Sequence, residues 1–201
     1  WLGSRLAPLS NWIARSWPNR WLMERVAGID RRRPLPRFAR ETFTDWFDRR
    51  RPRAEAPRGS VVLFNDTFVT YNAPWIGQAA VSLLEAAGYR VVLVDRKCCG
   101  RPLISKGMLE KAREHSRWNV AQLAPYAHRG VPIVGLEPSC LLTLRDETVD
   151  LVRTDDARAV AKQAFLLEEF LVRERARGLT LPFSGNGKRA LLHGHCHQKA
   201  M

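Results

Sequence analysis

Two adjacent cysteines followed by a glycine, Cys98-Cys99-Gly100, are the residues of this chain best suited to chemistry. Neighbouring cysteines do not readily form a disulfide with each other, because one trans peptide hardly allows the separation and dihedral angle of that bond. The pair therefore favours thiolates presented to a metal ion or an iron–sulfur cluster. Gly100 lets the backbone turn tightly beside the bound group. Lys97 and Arg101 flank the pair, and we expect their positive charges to favour the thiolate form.

Alternating apolar strands and helices must position these thiols. Strands are predicted at 61–64, 91–94, 132–136 and 188–192, and helices at 73–87, 107–127 and 157–177, with a short helix from about 139. Strands that alternate with helices predict an α/β fold, a parallel Rossmann-like sheet with helices on both faces. The carboxyl ends of parallel strands share one sheet edge, which is where such folds bind ligands.

The unusual residues of the sequence follow these predicted strands, and we expect them to converge on that edge. In chain order they are Asp66, then Cys98 and Cys99, then Glu137 and Cys140, and finally Cys196 between His195 and His197. The four cysteines, Cys98, Cys99, Cys140 and Cys196, are the candidate metal ligands. Cys140 is predicted near a helix N-terminus, where partial positive charge favours a thiolate. No residue is predicted to be catalytic.

Each of these residues also has a purely structural interpretation. A single cysteine is often a small buried apolar residue, and Asp66 beside Asn65 and Thr67 suits a turn or a cap. The alternating His193, His195 and His197 suit zinc binding, but also hydrogen bonding around a site. Three hypotheses therefore stay open: a redox module with an iron–sulfur centre, a cofactor-free interaction module, and a structural zinc-binding domain.

Composition narrows the class of protein. The formal net charge is +13, with arginine runs at 31–33 and 49–51, but no zinc-finger or RNA-binding signature accompanies them. We therefore expect no nucleic-acid partner, and an arginine-rich segment that contacts an acidic partner or is solvated. Four cysteines in 201 residues favour a reducing compartment over a disulfide framework. No secretory signal and no apolar run of transmembrane length is predicted.

Residues 1–58 differ from the remainder and are predicted to be a basic connector or arm, followed by an α/β domain over 59–201. The arm is rich in Trp, Arg and Pro, with short helices predicted at 7–16 and 19–27. Its tryptophans, Trp12, Trp17, Trp21 and Trp46, are expected to pack in a core of this domain or on a neighbour.

These motifs together resemble the cysteine-rich CCG domain of iron–sulfur oxidoreductases. The family pattern is a lone cysteine, then Cys-Cys-Gly, then Cys-x-x-Cys, usually twice per protein. Cys98-Cys99-Gly100 matches the centre, Asp66 stands at the lone cysteine, and Glu137-Pro138-Ser139-Cys140 matches the last element with Glu137 at its first cysteine. The run 193–200, His-Gly-His-Cys-His-Gln-Lys-Ala, resembles the start of a second, truncated repeat. The resemblance covers about residues 60–201.

The resemblance implies a function and a set of cofactor contacts. It is closest to large FAD-linked D-2-hydroxyacid dehydrogenases of the D-2-hydroxyglutarate or D-lactate type, and extends to heterodisulfide reductase and to the iron–sulfur subunits of glycolate oxidase. It implies an electron-transfer module with an iron–sulfur cluster of the 4Fe-4S kind and FAD in an upstream domain outside these residues. The residues that it implies beside the cluster are Asp66, Gly100, Glu137, His195 and His197.

Partners and location follow from the same resemblance. The partners implied are ferredoxin-like and FAD domains of the same polypeptide or complex, together with an electron acceptor of unknown identity. The location implied is cytoplasmic or peripheral at the inner membrane. Because the lone cysteine and one cysteine of the last element are replaced by carboxylates, the five-cysteine cluster of heterodisulfide reductase is not assumed.

Overall fold

The computed structural model describes residues 2–52, 56–181, 187 and 189–200. The chain divides into two compact units. One comprises Trp1–Arg51 with Thr67–Ala79, and the other comprises Pro52–Asp66 with Ala80–Met201. Among the described residues, no helix combines the length and the apolar character needed to cross a bilayer.

The first unit is helical. Its helices are α1 (Leu2–Arg5), α2 (Ala7–Arg15), α3 (Trp17–Ala27), α4 (Phe43–Arg49), α5 (Thr67–Tyr71) and the first half of α6 (Pro74–Ala86). The helices predicted at 7–16, 19–27 and 73–87 are thereby confirmed. The proposed core role is wrong for Trp12 and Trp17, whose side chains are 69% and 66% exposed. The reason is that short helices α1 to α3 pack mainly in sequence on one another, which leaves their outer faces uncovered.

The second unit contains a sheet of four parallel strands in the order β2-β1-β3-β4. The strands are β1 (Ser60–Phe64), β2 (Arg90–Val92), β3 (Ile133–Gly135) and β4 (Ala164–Leu166). Val62 pairs with Val92 on one side and with Ile133 on the other, so β1 is central. A continuous apolar run suits a central strand, because helices cover both of its faces. The predicted α/β fold with a parallel sheet is confirmed.

Helices connect the strands of this unit and bury their apolar faces on the sheet. They are the second half of α6, α7 (Arg101–Ser105), α8 (Leu109–Ala127), α9 (Pro138–Arg145), α10 (Glu147–Val152), α11 (Asp155–Gln163), α12 (Leu167–Ala176) and α13 (Cys196–Ala200). The core brings together β1, β3, α8 and α9 through Phe64, Ile133, Leu123 and Leu141. Cys99 belongs to the same apolar cluster.

The prediction of the fourth strand was wrong, and so was that of one long helix over 157–177. The apolar triplet Ala164–Leu166 interrupts that helix and pairs in parallel with β3, so that α11, β4 and α12 replace it. Residues 189–192 have no regular secondary structure, residue 188 lies outside the described residues, and Leu191 is 99% exposed. A three-residue strand is too short to show a periodicity of its own, which is why the helical pattern concealed it.

Candidate metal centre

The strand order places a ligand-binding crevice at the carboxyl ends of β1 and β3. The chain moves from β1 outward to β2, then crosses back to β3 on the opposite side of β1. Such a reversal leaves a gap above the sheet between the two diverging connections, and α/β proteins bind ligands there. The segments that follow β1, β2 and β3 carry Asp66, the Cys98-Cys99 pair and Cys140.

Three of the four cysteines converge at this end of the sheet. The sulfur of Cys99 lies 3.2 Å from the sulfur of Cys140, although 41 positions separate them in the sequence. Cys98 is partly buried, and its thiol interacts with that of Cys99. All four cysteines of the chain are free thiols. Two segments thus present three soft sulfur donors in one apolar setting, as a thiophilic metal or an iron–sulfur cluster requires.

The thiols of the adjacent pair are held in the protonated form. The hydrogen bond with Cys99, together with burial, raises the pKa of Cys98 far above the ordinary thiol range. The hydrogen bond with Cys140, together with burial, raises the pKa of Cys99 to about 12. These directions fit a donor set that gives up its protons when a cation arrives, because a bound cation favours thiolates.

The expectation that Lys97 and Arg101 favour thiolates was wrong for this pair. The ammonium group of Lys97 lies 2.6 Å from a carboxylate oxygen of Glu114. The guanidinium group of Arg101 pairs with Glu147 on α10. Both charges are therefore directed to carboxylates, and mutual hydrogen bonding of the thiols together with burial sets the protonation state.

Helix α8 anchors the loop that carries the cysteine pair. The side-chain oxygen of the fully buried Asn119 accepts a 2.8 Å hydrogen bond from the backbone N–H of Lys97. The amide nitrogen of Asn119 donates to the carbonyl of Cys98 at 3.4 Å, and Nδ1 of His115 lies 3.3 Å from the same oxygen. Sequence reasoning missed both residues. Their signal was a polar side chain on the apolar face of a long helix, and only the fold shows what it contacts.

Gly100 ends the cysteine loop in a conformation that favours glycine. Its φ of 93° is in the left-handed region, and its carbonyl accepts hydrogen bonds from the N–H groups of Leu103 and Ile104 as α7 begins. A side chain here would be strained whatever the surrounding space. The structure thus gives Gly100 a conformational role beside the thiols.

Glu137 positions Cys140 as the N-cap of α9. Its Oε2 accepts a 2.6 Å hydrogen bond from the N–H of Cys140 and a 2.8 Å hydrogen bond from the hydroxyl of Ser139. Burial raises the pKa of Glu137, but these hydrogen bonds to the carboxylate outweigh burial and the net pKa is lowered. Gly135 lets the helix approach β3, because a Cβ there would lie 2.8 Å from the side chain of Leu141.

The remaining predicted site residues are placed less centrally. Asp66 is buried directly after β1, at the carboxyl edge. Cys196 is exposed at the start of α13 and follows no strand, because the predicted fourth strand is absent. Nε2 of His195 lies 4.0 Å from Oε1 of Glu137. His197 lies beside Asp146 and Glu147, so the alternating histidines do not share one surface.

The donor chemistry of the convergent residues fits an iron–sulfur cluster or a thiophilic ion. Cys98, Cys99 and Cys140 would supply thiolates, with the apolar cluster around Cys99 keeping water away. A bound cluster would supply one-electron redox chemistry, and the chain's own residues would hold and shield it. Asp66 is near enough along the chain to contribute a carboxylate, whereas Oε2 of Glu137 is already engaged as a helix cap.

The site and the fold agree with a comparison of the sequence against protein families. Residues 64–145 match the model of the cysteine-rich domain called CCG. That segment runs from the end of β1 to the end of α9, and it contains Asp66, the Cys98-Cys99-Gly100 motif, Glu137 and Cys140. The chain carries a CCG-type cysteine-rich domain, as the resemblance of its motifs indicated.

Curated relatives of the chain are parts of dehydrogenases. It is 30% identical to the subunit designated C of the anaerobic glycerol-3-phosphate dehydrogenase of Escherichia coli strain K12 over 197 residues, which is 97% of this chain and 50% of that protein. It is 35% identical to D-2-hydroxyglutarate dehydrogenase of Pseudomonas putida over 88 residues, which is 44% of this chain and 9% of that protein. The chain thus spans about half of the length of the E. coli relative. No solved structure matches the chain.

Proposed function

We propose that this chain is the electron-transfer module of an FAD-linked dehydrogenase and holds an iron–sulfur cluster of the 4Fe-4S kind. The observation that carries the proposal is the convergence of Cys98, Cys99 and Cys140, with 3.2 Å between the sulfurs of Cys99 and Cys140. Because Asn119 and the Glu137 cap hold the two cysteine segments by hydrogen bonds, the donors are placed before a cluster binds. Such preorganisation reduces the ordering cost of binding.

The chemistry of the donors supports iron–sulfur loading more than a hard cation. Thiolates suit soft or borderline metals, whereas calcium and magnesium take oxygen ligands. Cys196, at the start of α13, is proposed as the remaining cysteine ligand, and Asp66, His195 and Glu137 as residues around the cluster. Helix α13 packs against α9, the helix that carries Cys140, and this packing keeps Cys196 on the same side of the unit.

The electrons are proposed to come from FAD in a separate domain, through a ferredoxin-like domain, and to leave to an acceptor bound elsewhere. A D-2-hydroxy acid of the D-2-hydroxyglutarate or D-lactate type is the proposed substrate, by analogy with the P. putida relative. Glycerol 3-phosphate is the second candidate, because similarity to the E. coli relative extends over 97% of this chain. We propose a cytoplasmic location, with peripheral attachment at the inner membrane through partner subunits.

Metal analysis tests the cluster. The whole protein that contains this chain would be purified without oxygen, assayed for iron and acid-labile sulfide, and examined by electron paramagnetic resonance (EPR). We expect Cys99→Ser and Cys140→Ser to lose iron and the EPR signal, while Ser105→Ala, an exposed change at the end of α7, retains both. Zinc in place of iron would identify a structural zinc domain instead.

Turnover separates the redox module from a cofactor-free interaction module. Both proposed substrates would be offered to the whole complex, with reduction of the flavin and of the cluster followed spectroscopically. If Cys98→Ser and Cys99→Ser leave the chain folded and turnover unchanged, the chain is a docking module and the electron-transfer proposal is wrong. A loss of cluster reduction with flavin reduction retained would place the chain after the flavin.

A further inference from the structure

A second cluster of potential metal ligands lies apart from the three convergent thiols. It consists of Asp146, between α9 and α10, Glu147 in α10 and His197 in α13. Each offers one ligand atom, and these atoms all lie within 4.8 Å of one another. Fifty positions separate Glu147 from His197, so the fold and not local sequence brings the donors together.

Two atoms of this cluster are buried without a hydrogen-bond partner. Oε2 of Glu147 and Nδ1 of His197 are both shielded from solvent, and neither has a partner among the described residues. Leaving a buried polar atom unpaired is costly, so native proteins seldom do it without a water or an ion. Two such atoms from distant elements in one cluster indicate a bound species that satisfies both.

The surroundings of Glu147 suit metal ligation. Its Oε1 is taken by the guanidinium of Arg101, which leaves Oε2 as the available oxygen. Ligating carboxylates are commonly held in this way by a hydrogen bond to their other oxygen. The fixed carboxylate and the buried imidazole nitrogen therefore differ from exposed acidic side chains that face solvent by chance.

We propose that Asp146, Glu147 and His197 bind a divalent transition-metal ion such as zinc or manganese. Imidazole and carboxylate donors together favour such ions over soft monovalent copper, and three protein ligands leave positions for water. The ion ties α13, and with it the segment that carries Cys196, to α10. The site is separate from the proposed cluster and does not depend on it.

Manganese is the appropriate probe, because carboxylate and imidazole ligands accept it while thiolates select softer metals. The purified chain would be titrated with Mn²⁺, and the loss of the free Mn²⁺ EPR signal would be measured. We expect one ion per chain, displaced by zinc, with affinity at least about tenfold weaker in Glu147→Gln and His197→Gln. Asp150→Asn, an exposed change on the same helix, should bind like the wild type.

Folding and the thiols are controlled separately. Asp146 is exposed, so Asp146→Asn should leave the circular dichroism spectrum unchanged and still weaken Mn²⁺ binding. No bound Mn²⁺ at millimolar concentration, or equal affinity in the wild type, Glu147→Gln and His197→Gln, would overturn the proposal. Loss of Mn²⁺ binding in Cys99→Ser would also overturn it, since the ion would then lie at the thiols. Absence of iron from the whole protein would sink the proposed cluster and leave this site intact.

Discussion

At the scale of single residues, the cysteine site depends on side chains that are not themselves thiols. Asn119 holds the backbone on which Cys98 lies, and Glu137 holds the backbone N–H of Cys140. The CCG pattern has a cysteine where Glu137 stands, and the structure gives the carboxylate a capping role at that position. A replacement that removes a ligand can thus retain the geometry of the remaining one.

Replacing Glu137 by glutamine tests the cap. We expect Glu137→Gln to lower the free energy of unfolding by about 1 kcal/mol at pH 7, the usual range for a helix cap. The lowered pKa of Glu137 means that its stabilisation is present above the ordinary glutamate pKa, about 4.3, and is lost as pH falls through the folded-state value. The difference between wild type and variant should therefore shrink in acid.

Urea unfolding of both proteins at pH 7 and pH 3 measures this effect. Glu110→Gln serves as the control, because Glu110 is in the first turn of α8 and its side chain is 84% exposed. It should change stability by less than about 0.5 kcal/mol. A constant difference for Glu137→Gln at both pH values would contradict an ionised cap.

At the scale of elements, the fourth strand shows how tertiary pairing overrides a local pattern. Residues 157–177 have the spacing of one amphipathic helix, yet Ala164–Leu166 pair with β3. The free edge of β3 can accept a strand, and burial of Ala164 and Leu166 stabilises the pairing. Residues 188–192 have an equally strand-like composition, but those of them that the structure describes lie exposed.

A matched pair of leucine substitutions distinguishes the two candidate strands. Leu166 is 1% exposed in β4, so Leu166→Ala should lower the free energy of unfolding by about 2–5 kcal/mol. Leu191 is 99% exposed, so Leu191→Ala should change it by less than about 0.5 kcal/mol. Chemical denaturation of the two variants beside the wild type measures both values. Equal losses would mean that residues 188–192 do form a buried strand.

At the scale of the whole molecule, binding of a metal is coupled to proton release. The raised pKa values of Cys98 and Cys99 keep both thiols neutral near pH 7, in a chain whose formal net charge is +13. A metal that takes thiolates must displace those protons, so its apparent affinity rises with pH. Each proton released contributes about a tenfold gain per pH unit.

Zinc titrations of the metal-free chain at pH 6 and pH 8, without oxygen, measure this coupling. We expect markedly tighter binding at pH 8, and a flatter dependence in a Cys99→Ser, Cys140→Ser double variant. Because Asp146 and Glu147 titrate as carboxylates, zinc bound there should contribute little to the difference. Equal affinity of the wild type at both pH values would contradict protonated thiols.

The sequence by itself determined the fold class, three of the four strands, most helices and the importance of Cys98, Cys99 and Cys140. These features are local or repetitive: apolar runs, helical spacing, and a Cys-Cys-Gly motif that matches a CCG domain. It also determined that the ends of β1, β2 and β3 would meet, because parallel topology places carboxyl ends on one edge.

Only the tertiary structure decided which donors face one another and what state they are in. It placed the sulfurs of Cys99 and Cys140 3.2 Å apart, directed Lys97 and Arg101 to carboxylates, and separated His197 from the thiols. Contacts between residues far apart in sequence depend on packing across the whole unit, and no local pattern encodes them. The protonation of the thiols follows from those contacts and from burial, so it too became visible only in the folded chain.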